Sequence, residues 1–182
     1  MNIGDMLYFA PAIKFSDVDL DGLTLPDQLK QRISGFYIEP AFACIDRGEA
    51  FAAGVLLVSC IEAMARFSAD AKGHSGERFR SFISENLPSL ETEDVANRCY
   101  NEIRCGLVHE ARLKNGAQFS LEIDTGIQES VDVLIVNPES LAAEVQDALD
   151  RYVCALESDE GKLQVLRNRL KKDLCKDFLA SG

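Results

Sequence analysis

Apolar residues recur at helical spacing along most of this chain, and at strand spacing in one stretch. Leu29 and Ile33, after Pro26-Asp27, predict a helix running to about Gly35. A second short helix is expected over 39–47, with Pro40 in its first turn and Gly48 at its end. Residues 49–71 predict a longer helix, closed by Lys72-Gly73. Val55, Val58, Ile61, Ala65 and Phe67 make it apolar on nearly all sides, the pattern of a central, buried helix. Further helices are expected over 77–87, ended by Pro88, and from Thr92 to about Leu113, where Val95, Cys99, Ile103 and Leu107 form a stripe. The period then changes. Phe119, Leu121 and Ile123 alternate with Ser120, Glu122 and Asp124, and Val131 to Val136 follow the turn at Thr125-Gly126, which predicts a β-hairpin. Asn137-Pro138 opens a helix whose buried face carries Leu141, Val145, Leu149, Val153 and Leu156. Ser158 is expected to cap a last helix striped by Leu163, Leu166, Leu170, Leu174 and Phe178. Residues 1–25 show no sustained period and read as a poorly regular arm. The predicted fold is mainly α: an arm over 1–25, then one domain over 26–182, a bundle of about six helices with a β-hairpin insertion at about 118–136.

Composition narrows the class. With 182 residues, 47% hydrophobic and 27% charged, the chain can bury a real core. No uninterrupted apolar run reaches the roughly 18 residues of a membrane span, and the first residues lack a signal-peptide pattern, so no membrane association and a cytoplasmic location are expected. Six cysteines show no C-x-x-C pair and no histidine at finger spacing, which predicts buried thiols and neither metal nor cofactor. The net charge of −11 argues against a protein that coats nucleic acid. Two stretches run the other way: residues 98–114, and the tail with Arg167, Arg169, Lys171 and Lys172, which reads as a solvated face or an RNA track.

Candidate chemistry concentrates in Tyr100-Asn101-Glu102-Ile103-Arg104-Cys105-Gly106-Leu107-Val108-His109. An arginine, four residues and a histidine, following an apolar helix that carries a glutamate (Ile61-Glu62-Ala63-Met64), resembles the HEPN family over roughly residues 49–157. The resemblance implies a helical bundle and a symmetric homodimer with Arg104 and His109 of both copies in one composite site. It implies metal-independent cleavage of single-stranded RNA or tRNA within a toxin–antitoxin or defence system, with an antitoxin or nucleotidyltransferase as partner. Family nucleases commonly carry asparagine, aspartate or histidine directly after the arginine. Here Cys105 stands there, so the resemblance equally admits a non-catalytic module that binds RNA, a nucleotide or a partner.

The residue types suit the chemistry. Histidine titrates near neutrality and can move the 2′-hydroxyl proton, while a guanidinium stabilises charge gathering on phosphoryl oxygens. On this reading Arg104 and His109 are catalytic, Glu62, Asn101 and Cys105 support them, and Arg112 and Lys114 contact RNA. Five helical steps put Arg104 and His109 about 140° apart, so a distortion at Gly106 or the reach of the arginine is expected to join them. Structural readings stand beside these: Arg104–Glu62 as a simple ion pair, His109 at a helix C-terminus, Cys105 as packing, His74 in a loop, or an unrelated helical fold altogether.

Overall fold

The N-terminal stretch folds into a small antiparallel sheet in the computed structural model, which describes residues 2–3, 6–68, 74–129 and 132–180. Asn2–Ile3 (β1) pairs with Met6–Ala10 (β2), which pairs with Ile13–Lys14 (β3). Phe9 and Ala10 are fully buried, and Phe15, in a following 3-10 turn, meets Phe9 edge to face at 5.6 Å. All three belong to the same apolar core as the helices. The stretch expected to be irregular therefore carries regular, packed elements among its described residues up to Asp17, while 18–24 holds only turns and bends. Strands of two to five residues are too short for alternation to register in the sequence. Arg32 anchors the sheet: it donates to the Phe9 carbonyl, and its guanidinium lies 5.0 Å from the Phe9 ring centroid.

Leu25–Ile33 (α1) and Glu39–Asp46 (α2) are joined without a break by a π-helical turn over Ser34–Ile38. The helix thus runs through Gly35, where an end was expected. Pro40 explains the widened turn, because a proline ring in a regular helix would strike the carbonyl four residues before it. Gly48, at φ +74°, then ends α2.

Ala50–Ser68 (α3) touches α2, Ser75–Asn86 (α4), Pro138–Ser158 (α7) and Glu160–Asp173 (α8). Between α4 and α7 come Glu93–Arg98 (α5), Cys105–Glu110 (α6) and the strands Gln118–Phe119 (β4), Ile127–Glu129 (β5) and Leu134–Val136 (β6). Cys175–Ala180 (α9) follows α8. The inner side of α3 buries Ala53, Leu57, Cys60, Ile61 and Met64. It is not buried all round, as its composition suggested: Phe51, Ala52, Ser59 and Arg66 are exposed. By length and hydropathy α3 alone, among the described residues, would allow a membrane crossing; here its apolar residues supply the centre of the core. Its predicted end at Lys72-Gly73 lies outside the described residues, as does Val131 of the predicted hairpin.

A hairpin is present, but its strands are β5 and β6. Gln118-Phe119 pairs with β6 in parallel, giving the order β4-β6-β5, and 121–123 is not a strand. The reason is tertiary: Phe119 packs on α3 over Gly54, which ends the extended run early. Asp159, not Ser158, caps α8 by accepting from the Lys162 backbone N–H at 3.1 Å. The basic tail is not a uniform solvated face. Arg167 and Arg169 are buried, and Arg167 donates to the carbonyls of Leu20 (3.0 Å) and Asp21 (3.1 Å), tying α8 to the N-terminal loop. Lys171 and Lys172 remain exposed.

Because Phe9 is fully buried in the shared core, Phe9→Ala is expected to destabilise the whole molecule by about 3–5 kcal/mol, read as a lower midpoint in urea unfolding. A second clasp gives a pH dependence. Arg66 Nε donates to Asp173 Oδ2 at 2.6 Å, joining α3 to α8, and this hydrogen bond holds the Asp173 carboxyl below its usual range. A depressed folded-state pKa contributes stability above the unfolded value of about 3.9 and loses it as pH falls through the lower folded value. Asp173→Asn should therefore unfold at lower urea than wild type at pH 7, and the difference should shrink below about pH 4.

Candidate functional site

The segment that carries the motif is one continuous helical run with a widened centre. Thr92 starts it, its hydroxyl accepting from the Val95 backbone N–H. α5 passes into a π-helical stretch over Cys99–Arg104, and α6 continues to Glu110. Ala111, at φ +54°, ends it in the left-handed region. Val95, Cys99 and Ile103 are buried and Leu107 half-buried. Strict spacing by four drifts about 40° per step around a regular α-helix. A turn with more residues than 3.6 reduces that drift and keeps the stripe on one line.

Gly106 has no room for a side chain. The chain folds back after Ala111, and a Cβ on Gly106 would lie 2.3 Å from the Arg112 carbonyl oxygen. The glycine thus serves the close return of the backbone, while the distortion lies before it, over Cys99–Arg104. Glu102, buried within the widened turn, accepts from Arg98 at 3.0 and 3.2 Å, and Arg98 also reaches Glu129 of β5 at 3.2 Å. This locks the helix against the small sheet.

Arg104 projects toward α3. Its Nε donates to Glu62 Oε2 at 3.0 Å, with the arginine side chain 13% exposed and the glutamate 32%. Partial burial works against the guanidinium's charge, but the Glu62 hydrogen bond and charge outweigh it and hold the Arg104 pKa above its usual value. The guanidinium also lies 5.5 Å from the centroid of the Tyr100 ring. Glu62 is the ion-pair partner of Arg104 among the described residues, and the bond engages Nε alone.

His109 lies elsewhere. It is exposed in the last turn of α6, with no hydrogen bond or ion pair among the described residues. The stretch from Cys105 to Glu110 is regular α-helix, so the angular offset of about 140° from Arg104 stands. A single copy thus brings Arg104 and Glu62 together and leaves His109 apart. Asn101 is exposed and makes no hydrogen bond to Arg104 among the described residues. Cys105 is half-buried. Arg112 and Lys114 both pair with the exposed Glu110, at 2.7 and 2.8 Å; such surface pairs are weak and readily exchanged.

Two further residues join the site. Tyr100 sits in the widened turn, seated on the first turn of α4 where a Cβ on Gly76 would lie 2.6 Å from its ring. Arg80 of α4 reaches the same ring, its guanidinium 4.9 Å from the centroid. No spacing in the sequence marks Arg80; it arrives because α4 packs against the widened turn.

Other chemistry is sparse. Of the six cysteines, all free, Cys44, Cys60 and Cys99 are buried, and Cys154 and Cys175 are exposed. Burial pushes the Cys60 and Cys99 thiols up to about 12, so neither forms a thiolate near neutrality. Among the described residues no three histidine, cysteine or acidic side chains cluster as a metal site would require. An open cleft of about 880 Å³ lies between α4, α7 and the start of α8, rimmed by Glu85, Arg151, Asp159 and Lys162. Neither Arg104 nor His109 lines it. Compared with protein-family models, curated proteins and solved structures, the chain matches none.

Gly106→Ala should cost about 1–3 kcal/mol, since the clash is with backbone that cannot swing aside as a side chain would. The check is a lowered thermal midpoint; an unchanged midpoint would show that the return of the chain is not tight.

Proposed function

We propose that the chain is a HEPN-like, metal-independent endoribonuclease acting on single-stranded RNA or tRNA at a composite site built by two copies. One observation carries the reading. Glu62 engages Arg104 through Nε and Cys105 is the other side chain hydrogen-bonded to it, so guanidinium N–H donors remain for a phosphate, and an exposed imidazole follows five residues later on the same helix.

The chemistry uses the chain's own groups. The imidazole of His109 takes the proton of the ribose 2′-hydroxyl, and the 2′-oxygen forms a bond to the adjacent phosphorus. The bond from phosphorus to the 5′-oxygen breaks, and an imidazolium, that of the second copy, protonates the leaving oxygen. The products are a 2′,3′-cyclic phosphate and a 5′-hydroxyl. Arg104 stabilises the charge on the phosphoryl oxygens in the transition state. The angular separation of Arg104 and His109 within one copy is why the reading needs a dimer, with each arginine serving the other copy's histidine. Phe51 of α3 and Val108 of α6, 52% and 60% exposed, are apolar side chains free for such an association. The net charge of −11 suits a basic antitoxin or nucleotidyltransferase partner and a cytoplasmic setting.

A second reading, binding without cleavage, is favoured by Cys105, a half-buried thiol directly after Arg104 where the family's nucleases commonly carry a polar side chain. The two separate cleanly. His109→Ala should reduce cleavage of a tRNA or single-stranded RNA by roughly 10²–10⁴-fold, with helicity and thermal midpoint unchanged and with EDTA without effect. Equal cleavage by variant and wild type, or cleavage abolished by EDTA, rejects the nuclease reading. Wild-type protein that binds RNA and leaves it intact selects the second.

A further inference from the structure

Tyr100 gathers two guanidinium groups from two different elements. The carbons of Arg80, on α4, and Arg104, in the widened turn, both lie within 5.5 Å of its ring centroid. Arginines brought this close repel one another unless anions compensate them. The aromatic face offsets part of the repulsion through cation–π attraction. Among the described residues only one carboxylate serves the pair: Glu62 holds Arg104, while Arg80 has no ion pair. Neighbouring charges are already engaged. Arg66, one turn beyond Glu62, is paired with Asp173, and Glu77 accepts the His74 backbone N–H at 3.2 Å. Glu62 is thus the one carboxylate bonded to either guanidinium among the described residues, and Arg80 keeps its donors free of one.

Sterics point the same way. Tyr100 fits against α4 because residue 76 is glycine; a Cβ there would lie 2.7 Å from the phenol oxygen. Arg80, Tyr100 and Arg104 are all partly exposed, so a solute can reach the cations. A phosphate at the Tyr100 ring would meet planar guanidinium donors brought there by two separate elements, the groups with which arginine binds phosphate most strongly.

We propose that Arg80, Tyr100 and Arg104 form a phosphate clamp that grips the backbone of single-stranded RNA, with Arg80 a substrate-contacting residue and Tyr100 the spacer that positions both guanidiniums. The clamp rests on the RNA-directed reading above but not on cleavage. It needs no second copy, because all three side chains belong to one chain.

The test separates gripping from cutting. Binding of a short fluorescein-labelled 2′-O-methyl oligoribonucleotide, which lacks the attacking hydroxyl, is followed by anisotropy over a series of salt concentrations. Arg80→Gln should weaken binding about tenfold at low salt and flatten the plot of log affinity against log salt by roughly 0.7, the contribution of one phosphate contact on a single strand. Arg80→Lys, which keeps the charge and loses the planar stack, should keep the slope and lose part of the affinity, so a folding failure of the glutamine variant leaves the proposal exposed to refutation. Affinity and slope unchanged in Arg80→Gln overturn the clamp, even where wild-type protein cleaves RNA. Arg80-dependent binding without any cleavage sustains the clamp and removes the nuclease reading. A wild type that neither binds nor cleaves the RNA overturns both. Displacement of the oligonucleotide by micromolar adenosine 5′-monophosphate would make the site one for a free nucleotide and overturn its assignment to RNA.

Discussion

The position of α3 constrains the rest of the molecule. Helices α2, α4, α7 and α8 all lie against it, and Phe119 of β4 packs over its Gly54. Its first turns are rich in alanine and glycine, so neighbours approach closely, while Leu57, Ile61 and Met64 fill the space further along. A helix held on several sides cannot rotate. Its remaining side, with Ser59, Glu62 and Arg66, is therefore fixed in direction, and Glu62 and Arg66 become anchors for the widened turn and for α8. The ion pair to Arg104 is then less a source of stability than a means of orientation. With the glutamate 32% exposed, water screens much of its attraction, yet the bond still decides which guanidinium nitrogen faces inward.

Much of this architecture is written in apolar spacing. Spacings of three and four mark every long helix, and Asn137-Pro138 marks the start of α7 because a cap and a first-turn proline leave few alternatives. The strands are harder to read. Their two to five residues carry too little periodicity to stand out, and β4 ends where Phe119 meets α3, a contact between residues more than sixty positions apart. The same limit hid the order of the N-terminal stretch, whose Phe9 and Phe15 are buried in the core they share with the helices.

The candidate site divides along the same line. Glu62 and Arg104 can be paired from sequence, because an acid on an apolar helix calls for a cation and the motif offers one. The widened turn leaves a trace too, in the unbroken four-residue spacing of Val95, Cys99, Ile103 and Leu107, though that trace names no function. Arg80 leaves none. Its place beside Tyr100 comes from the packing of α4 on the turn, and such a convergence of side chains from separate elements has no local signature.

The offset between Arg104 and His109 follows from this geometry. A widened turn that ends on Arg104 carries the arginine toward α3, but the regular helix after it carries His109 round to another side. Had the distortion fallen at Gly106, both side chains could have served one cleft; instead that glycine is occupied by the returning backbone. A single copy therefore gathers two guanidiniums at Tyr100 without placing His109 beside them. On the proposed readings gripping and cutting would be separable, the first needing only three side chains that one copy already assembles, the second a meeting of two helices from different copies.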